Sequence, residues 1–189
     1  MKKAALMALS IYLLGSLISI SCGSGESADT PHSGQAAAVA RNSTGDASVS
    51  QAVAFNSAAV DTQGARRPMS EWVGKQPTVV NFWGTWCPPC RREIPELVRL
   101  YNEYSPKGVE IVSLAVRDSP SKVTNYASQA GMNWVMLLAT EDVANEFGYS
   151  GGVPTTIFYD KQGNEKARFV GARNYDTFKK AFEEILADG

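Results

Sequence analysis

The chain has 189 residues, 44% hydrophobic and 20% charged, with a formal charge of −1 at pH 7. That is ordinary globular composition for one domain and an appendage, with no basic excess for a nucleic-acid partner and no polyanionic tail. Three cysteines and a single histidine, His32, narrow the available chemistry further.

At the N-terminus, Lys2 and Lys3 precede an uncharged apolar stretch over 4–20 that ends in small residues before Cys22. A basic start, a short apolar run and a small-residue boundary make a secretory signal over 1–21. The run also approaches the length of a membrane-spanning helix, so an uncleaved anchor is the competing reading. Ser21-Cys22-Gly23, followed by Ser24-Gly25-Glu26-Ser27, resembles a bacterial lipoprotein cleavage site, with Ser19 and Ile20 where that motif usually has leucine and a small residue. The resemblance implies lipidation of Cys22 and a place in the bacterial cell envelope, membrane-anchored and facing the periplasm or extracytoplasmic side. The alternative is a plain signal or anchor with Cys22 an incidental thiol. Lipidation explains the odd cysteine of an exported chain and leaves one pair, Cys87 and Cys90, where disulfides persist.

From 23 to about 62 the residues are mostly Ser, Gly, Ala, Asn, Asp, Thr and Gln. Such a stretch buries too little surface to offset its ordering entropy and reads as a flexible tether. The division is a signal over 1–21, a tether over 22–52 and a domain over 53–189, with Val53-Ala54-Phe55 expected as a short opening strand. His32 lies inside the tether, which argues against a Cys–His nucleophile pair and against a histidine-based metal centre.

Beyond the tether, apolar runs and helical patterns alternate. Residues 78–83 form a continuous, β-branched apolar run suited to a strand buried on both faces. After Cys90, Ile94, Leu97, Val98 and Tyr101 fall on one helix face, with Pro95 inside the helix expected to bend it. A second buried strand follows over 109–116, then a helix over 119–129 opened by Ser119-Pro120. A short strand over 134–138, a short helix over 142–147 and a strand over 155–159 come next. Asp160-Lys161-Gln162-Gly163-Asn164 turns the chain into a strand over 166–170, and Tyr175, Phe178, Phe182, Ile185 and Leu186 mark a final helix. Right-handed crossovers make the first strands parallel, and the C-terminal hairpin adds an antiparallel edge. The predicted fold is α/β, a thioredoxin-like sandwich of about 130 residues whose mixed sheet carries helices on both faces.

Cys87-Pro88-Pro89-Cys90 follows the first buried strand directly. A disulfide needs Cα atoms roughly 4.4–6.8 Å apart, and the first turn of a helix brings positions i and i+3 together. Cys87 then stands at the helix N-terminus, where unpaired N–H groups and the helix dipole favour a thiolate. The thiolate is the attacking species, which makes Cys87 the better nucleophile; Cys90, one turn in, is expected to be more buried and to resolve the mixed disulfide. Half of a zinc site would need ligands that the domain lacks, and an inert four-residue loop constrains an unfolded chain very little. No metal and no cofactor beyond the redox-active disulfide is expected.

Around the pair, Asn81 occupies the strand position where thioredoxins carry a buried aspartate, and an amide is no proton acceptor. Glu93, three residues after Cys90, is either a partly buried base for Cys90 or a solvated first-turn acid complementing the dipole. Val153-Pro154-Thr155 opens a strand with a proline that is cis or trans. Trp83 reads as core. Trp86, Pro88, Pro89, Val153 and Pro154 read as the rim that meets a substrate, and Arg91 and Arg92 either favour the thiolate or are simply solvated.

The run Asn81-Phe82-Trp83-Gly84-Thr85-Trp86-Cys87-Pro88-Pro89-Cys90-Arg91-Arg92-Glu93-Ile94-Pro95 closely resembles the TlpA/ResA-like branch of thioredoxin-fold proteins, as do Gly74-Lys75-Gln76-Pro77, Gly108-Val109-Glu110-Ile111-Val112 and Val153-Pro154-Thr155-Thr156. The resemblance implies a membrane-anchored or exported thiol–disulfide oxidoreductase that reduces client protein disulfides. The implied clients include apocytochrome c and copper-site proteins, and the implied electron donor is a DsbD/CcdA-type membrane protein. It also implies that Cys87 is the nucleophile, Cys90 the resolving thiol, Glu93 the active-site carboxylate and Pro154 a cis-proline beside the disulfide. Tyr149-Ser150-Gly151-Gly152-Val153-Pro154-Thr155 departs from the cytochrome-maturation subgroup, which carries Gly-Val-Tyr-Gly and an acid after the proline. A general disulfide oxidant and a Cu(I)-binding metallochaperone remain the alternative functions.

Overall fold

The computed structural model describes residues 54–187. The expected signal over 1–21, Cys22, His32 and the expected tether over 22–52 lie outside the described residues. In chain order the elements are β1 (Ala58–Asp61), β2 (Arg66–Pro68), a 3-10 turn (Met69–Glu71), β3 (Thr78–Trp83), α1 (Pro88–Tyr104), a second 3-10 turn (Ser105–Lys107), β4 (Glu110–Ala115), α2 (Pro120–Ala130), β5 (Val135–Leu138), α3 (Glu141–Glu146), β6 (Thr155–Tyr159), β7 (Glu165–Val170) and α4 (Tyr175–Ala187). The seven strands form one sheet in the order β2-β1-β5-β4-β3-β6-β7. β3, β4 and β5 are mutually parallel, while β6 and β7 add the antiparallel hairpin beside β3.

β3 has all six residues buried, as a β-branched run shared by two cores must. Val79 and Trp83 face one core, joined by Ile111 and Phe158 from the neighbouring strands and by Ile94, Leu97, Val123, Phe178 and Phe182 from α1, α2 and α4. Val80 and Phe82 face the other, packed with Val112, Leu114, Ile157, Val143 and Phe147. Helices therefore cover both faces unevenly, three on one side and the short α3 on the other. The crossovers explain this: β3 to β4 and β4 to β5 step in the same direction across the sheet, so right-handed connections put α1 and α2 on the same face.

α1 begins with Pro88 and Pro89, whose missing N–H groups cost nothing in a first turn. It runs on through Pro95, whose nitrogen has no hydrogen to donate to the preceding turn. The hairpin turn between β6 and β7 is held by Asp160, whose carboxylate accepts from the backbone N–H of Gln162 and Asn164, both at 2.9 Å.

The N-terminal edge corrects the sequence reading. Neither Ala54 nor Phe55 is in a strand; Phe55 instead buries its ring against Phe147, with centroids 5.1 Å apart. Among the described residues strand structure begins at β1, inside the stretch whose composition suggested a tether, and β1–β2 form an antiparallel hairpin that no sequence pattern announced. The physical reason is borrowed pairing. β5 supplies a ladder for Val60 and Asp61, and Ala59 is fully buried although its side chain is one carbon. Glu146 of α3 then accepts from the backbone N–H of Asn56 and Ser57, fixing the chain's entry.

Candidate active site

β3 delivers the chain to the carboxyl edge of the sheet, where 84–87 turn into α1. Cys87 is the N-cap of that helix, with an extended backbone (φ −95°, ψ 104°). Its sulfur accepts from the Cys90 N–H at 3.2 Å, so one of the helix's orphan donors points at sulfur. Cys87 and Cys90 are joined in a disulfide with Cα atoms 5.3 Å apart, inside the range that needs no backbone movement. Both are buried, Cys90 completely and Cys87 nearly so, so the expected contrast between them is slight in the closed form.

Glycine at 84 leaves room for the Trp86 indole. A Cβ there would lie 2.6 Å from the Trp86 indole nitrogen. Trp86 folds back over the turn and donates Nε1–H to the Val116 carbonyl at 3.1 Å, leaving its ring 45% exposed beside Cys87. Pro88 is exposed, Pro89 half-buried, and Arg91 and Arg92 are exposed on the first turn of α1.

Beneath the helix lies a buried polar layer. Glu93 is 2% exposed, on the inward face of α1 one turn beyond Cys90, where Cβ atoms at i and i+3 lie about 5–6 Å apart. Burial pushes its pKa up to about 8, against the weaker lowering by the Arg173 backbone, the Asn81 amide and the Arg173 charge. Asn81 donates to Glu93 Oε1 at 3.3 Å and to Thr156 Oγ1 at 3.0 Å. Glu93 Oε2 and Asn81 Oδ1 have no hydrogen-bond partner. Of the two sequence readings of Glu93, the structure selects the buried acid.

The Val153–Pro154 peptide is cis. β6 starts at the next residue, with Thr155 opposite Phe82, so Pro154 stands at the same sheet edge as Trp83 and the turn into Cys87. Pro154 is buried and Val153 half-buried. Among the described residues no cluster of three or more His, Cys, Asp or Glu is placed to hold a metal ion.

Sequence reasoning passed over the 116–118 loop. Asp118 Oδ2 accepts the Thr85 N–H at 2.7 Å, and the Arg117 guanidinium sits over the Trp86 ring, 4.7 Å from its centroid. The available signal was topological: Arg117 and Asp118 follow the carboxyl end of the parallel strand next to β3, where open α/β sheets place their sites.

The AhpC/TSA family matches residues 49–167. The chain belongs to that family. It is similar to the thiol-disulfide oxidoreductase ResA of Geobacillus thermodenitrificans, 34% identical over 126 residues that make up 66% of this chain and 71% of ResA. Among solved structures, a thiol:disulfide interchange protein of the thioredoxin family from Chlorobium tepidum is 31% identical with a TM-score of 0.61, over 68% of this chain and 92% of that one. A secreted Mycobacterium tuberculosis disulfide oxidoreductase, 22% identical with a TM-score of 0.61 over 69% of this chain and 96% of its own, shares the fold. This AhpC/TSA-family chain, with its closed Cys87–Cys90 pair, is a thiol–disulfide oxidoreductase of the ResA type.

Proposed function

We propose that the protein is a membrane-tethered, extracytoplasmic reductant of client protein disulfides, held to the envelope through a lipid on Cys22. The observation that carries the exchange chemistry is the buried Glu93 carboxyl one turn beyond Cys90, behind a helix-capping Cys87. Reduction needs two proton-coupled events at the pair. In the dithiol form, the Cys87 thiolate attacks a client S–S bond, forming a mixed disulfide and releasing one client thiolate. Cys90 then gives its proton to Glu93 in its ionised, carboxylate form, and attacks the Cys87 sulfur, leaving Glu93 protonated. The mixed bond breaks, the second client thiolate leaves, and the Cys87–Cys90 disulfide seen here remains. Two electrons have passed to the client, and a DsbD/CcdA-type membrane protein returns them. The client is an apocytochrome c or a copper-site protein, and no cofactor enters.

Glu93 suits the second step because Cys90 is buried away from solvent bases, and a carboxyl with a pKa of about 8 is matched to a thiol in proton affinity. Trp86, Pro88, Pro89, Val153 and Pro154 form the rim the client meets. The direction of electron flow follows the family resemblance and is tested by equilibrating the protein with glutathione buffers. A potential at or below about −270 mV, that of thioredoxin, supports a reductant, whereas one near −120 mV makes the protein an oxidant.

A further inference from the structure

We infer that the Trp86–Arg117 shelf beside the disulfide seats the client, and that the client segment it seats is acidic. This rests on the reading of the pair as a disulfide reductase and adds what the reductase recognises.

The shelf is built, not incidental. Val116 N–H donates to the Trp83 carbonyl at 2.9 Å, Trp86 Nε1–H donates to the Val116 carbonyl at 3.1 Å, and Thr85 N–H donates to Asp118 Oδ2 at 2.7 Å. The residues on either side of Arg117 are thus bound to the loop that carries Cys87. Arg117 itself is held at φ 51°, the one non-glycine residue in the left-handed region among those described. Such a conformation is sparsely populated for a residue with a side chain and persists where its surroundings over-determine it. Here those surroundings lay the guanidinium on the Trp86 ring, and the two side chains line an open groove. A guanidinium stacked on an aromatic face still offers its in-plane N–H fork to a carboxylate.

Charge selects the occupant. Arg67, Arg99 and Arg168 pair with Glu71, Glu96 and Glu165. Arg91, Arg92 and Arg117, in the two segments that frame the disulfide, enter no ion pair among the described residues. Asp118, the carboxylate of this loop, has both oxygens turned onto backbone N–H groups, those of Thr85 and Ser119. An arginine stacked on an exposed indole, with Arg91 and Arg92 exposed on the first turn of α1, complements a peptide with carboxylates near its cysteine and an apolar residue for Trp86. A basic peptide would meet like charge.

The experiment uses the reduced full chain and two disulfide-bearing peptides of identical core, one flanked by Asp and Glu, the other by Lys. Second-order rate constants are measured from low to high NaCl, with the neutral 2-hydroxyethyl disulfide as reference. The acidic peptide should react about tenfold faster than the basic one at low salt, with the advantage shrinking as ionic strength rises. Arg117→Glu should shrink or reverse the ratio of the two rates. Arg117→Gly, which suits the left-handed backbone and so keeps the loop, should also diminish it. Equal rates for the two peptides with normal reduction of the neutral disulfide would overturn the acidic-client inference alone. Failure to reduce the neutral disulfide would overturn the reductase reading beneath it.

Discussion

Replacing Glu93 with glutamine tests the buried acid directly, because the consequence for stability has a definite sign and shape. The folded-state pKa is about 8, against an ordinary value of 4.5. Between those limits the folded protein binds a proton that the unfolded chain has lost, so stability is greatest below the unfolded value and falls as pH rises toward 8. The slope is about 1.4 kcal/mol per pH unit, and the full loss is about 5 kcal/mol. Glu93→Gln removes that titration while keeping the shape of the group. Any change in its contacts with Asn81 shifts the variant's stability by an amount independent of pH. Urea unfolding of the disulfide form, at pH 5 through 9, should therefore show the variant gaining about 3–4 kcal/mol on the wild type between pH 5 and pH 8. That is a large share of the 5–15 kcal/mol available to a domain. A gap that stays constant across this range would mean that Glu93 is not held protonated in the fold, and the proton-transfer role proposed for it would fall with that result.

Cys87→Ser should abolish disulfide exchange, and Cys90→Ser should accumulate a mixed disulfide with the client, visible as a shifted band on a non-reducing gel; normal turnover by Cys90→Ser would refute the assigned roles. Gly84→Ala should drive the Trp86 indole off the Val116 carbonyl, because the new Cβ would sit 2.6 Å from its nitrogen. The expected cost is about 1–3 kcal/mol in urea with a change in tryptophan fluorescence; an unaltered spectrum and midpoint would argue against the folded-back indole. Phe158→Ala removes a fully buried ring in contact with Phe169, Phe178 and Phe182, and should cost about 3–5 kcal/mol by thermal or urea unfolding. A loss below about 1 kcal/mol would mean that α4 does not close the core as described.

The sequence alone determined the parts of this protein that depend on near neighbours. The apolar run over 78–83, the spacing of Ile94, Leu97 and Tyr101, and the Asp160–Asn164 turn each specify a local geometry, and that geometry formed. The thiol pair belongs here too, since two residues and one helical turn are all it needs. Tertiary structure decided whatever depends on a partner far along the chain. Whether Glu93 is solvated or buried is invisible in its helix position and is settled by strands far along the chain, where Asn81, itself bonded to Thr156, meets its carboxyl. β1 looked like tether because its burial comes from β5, nearly 80 residues away. Arg117 was silent in the sequence because its meaning lies in Trp86, reached only when two adjacent parallel strands bring their carboxyl ends together.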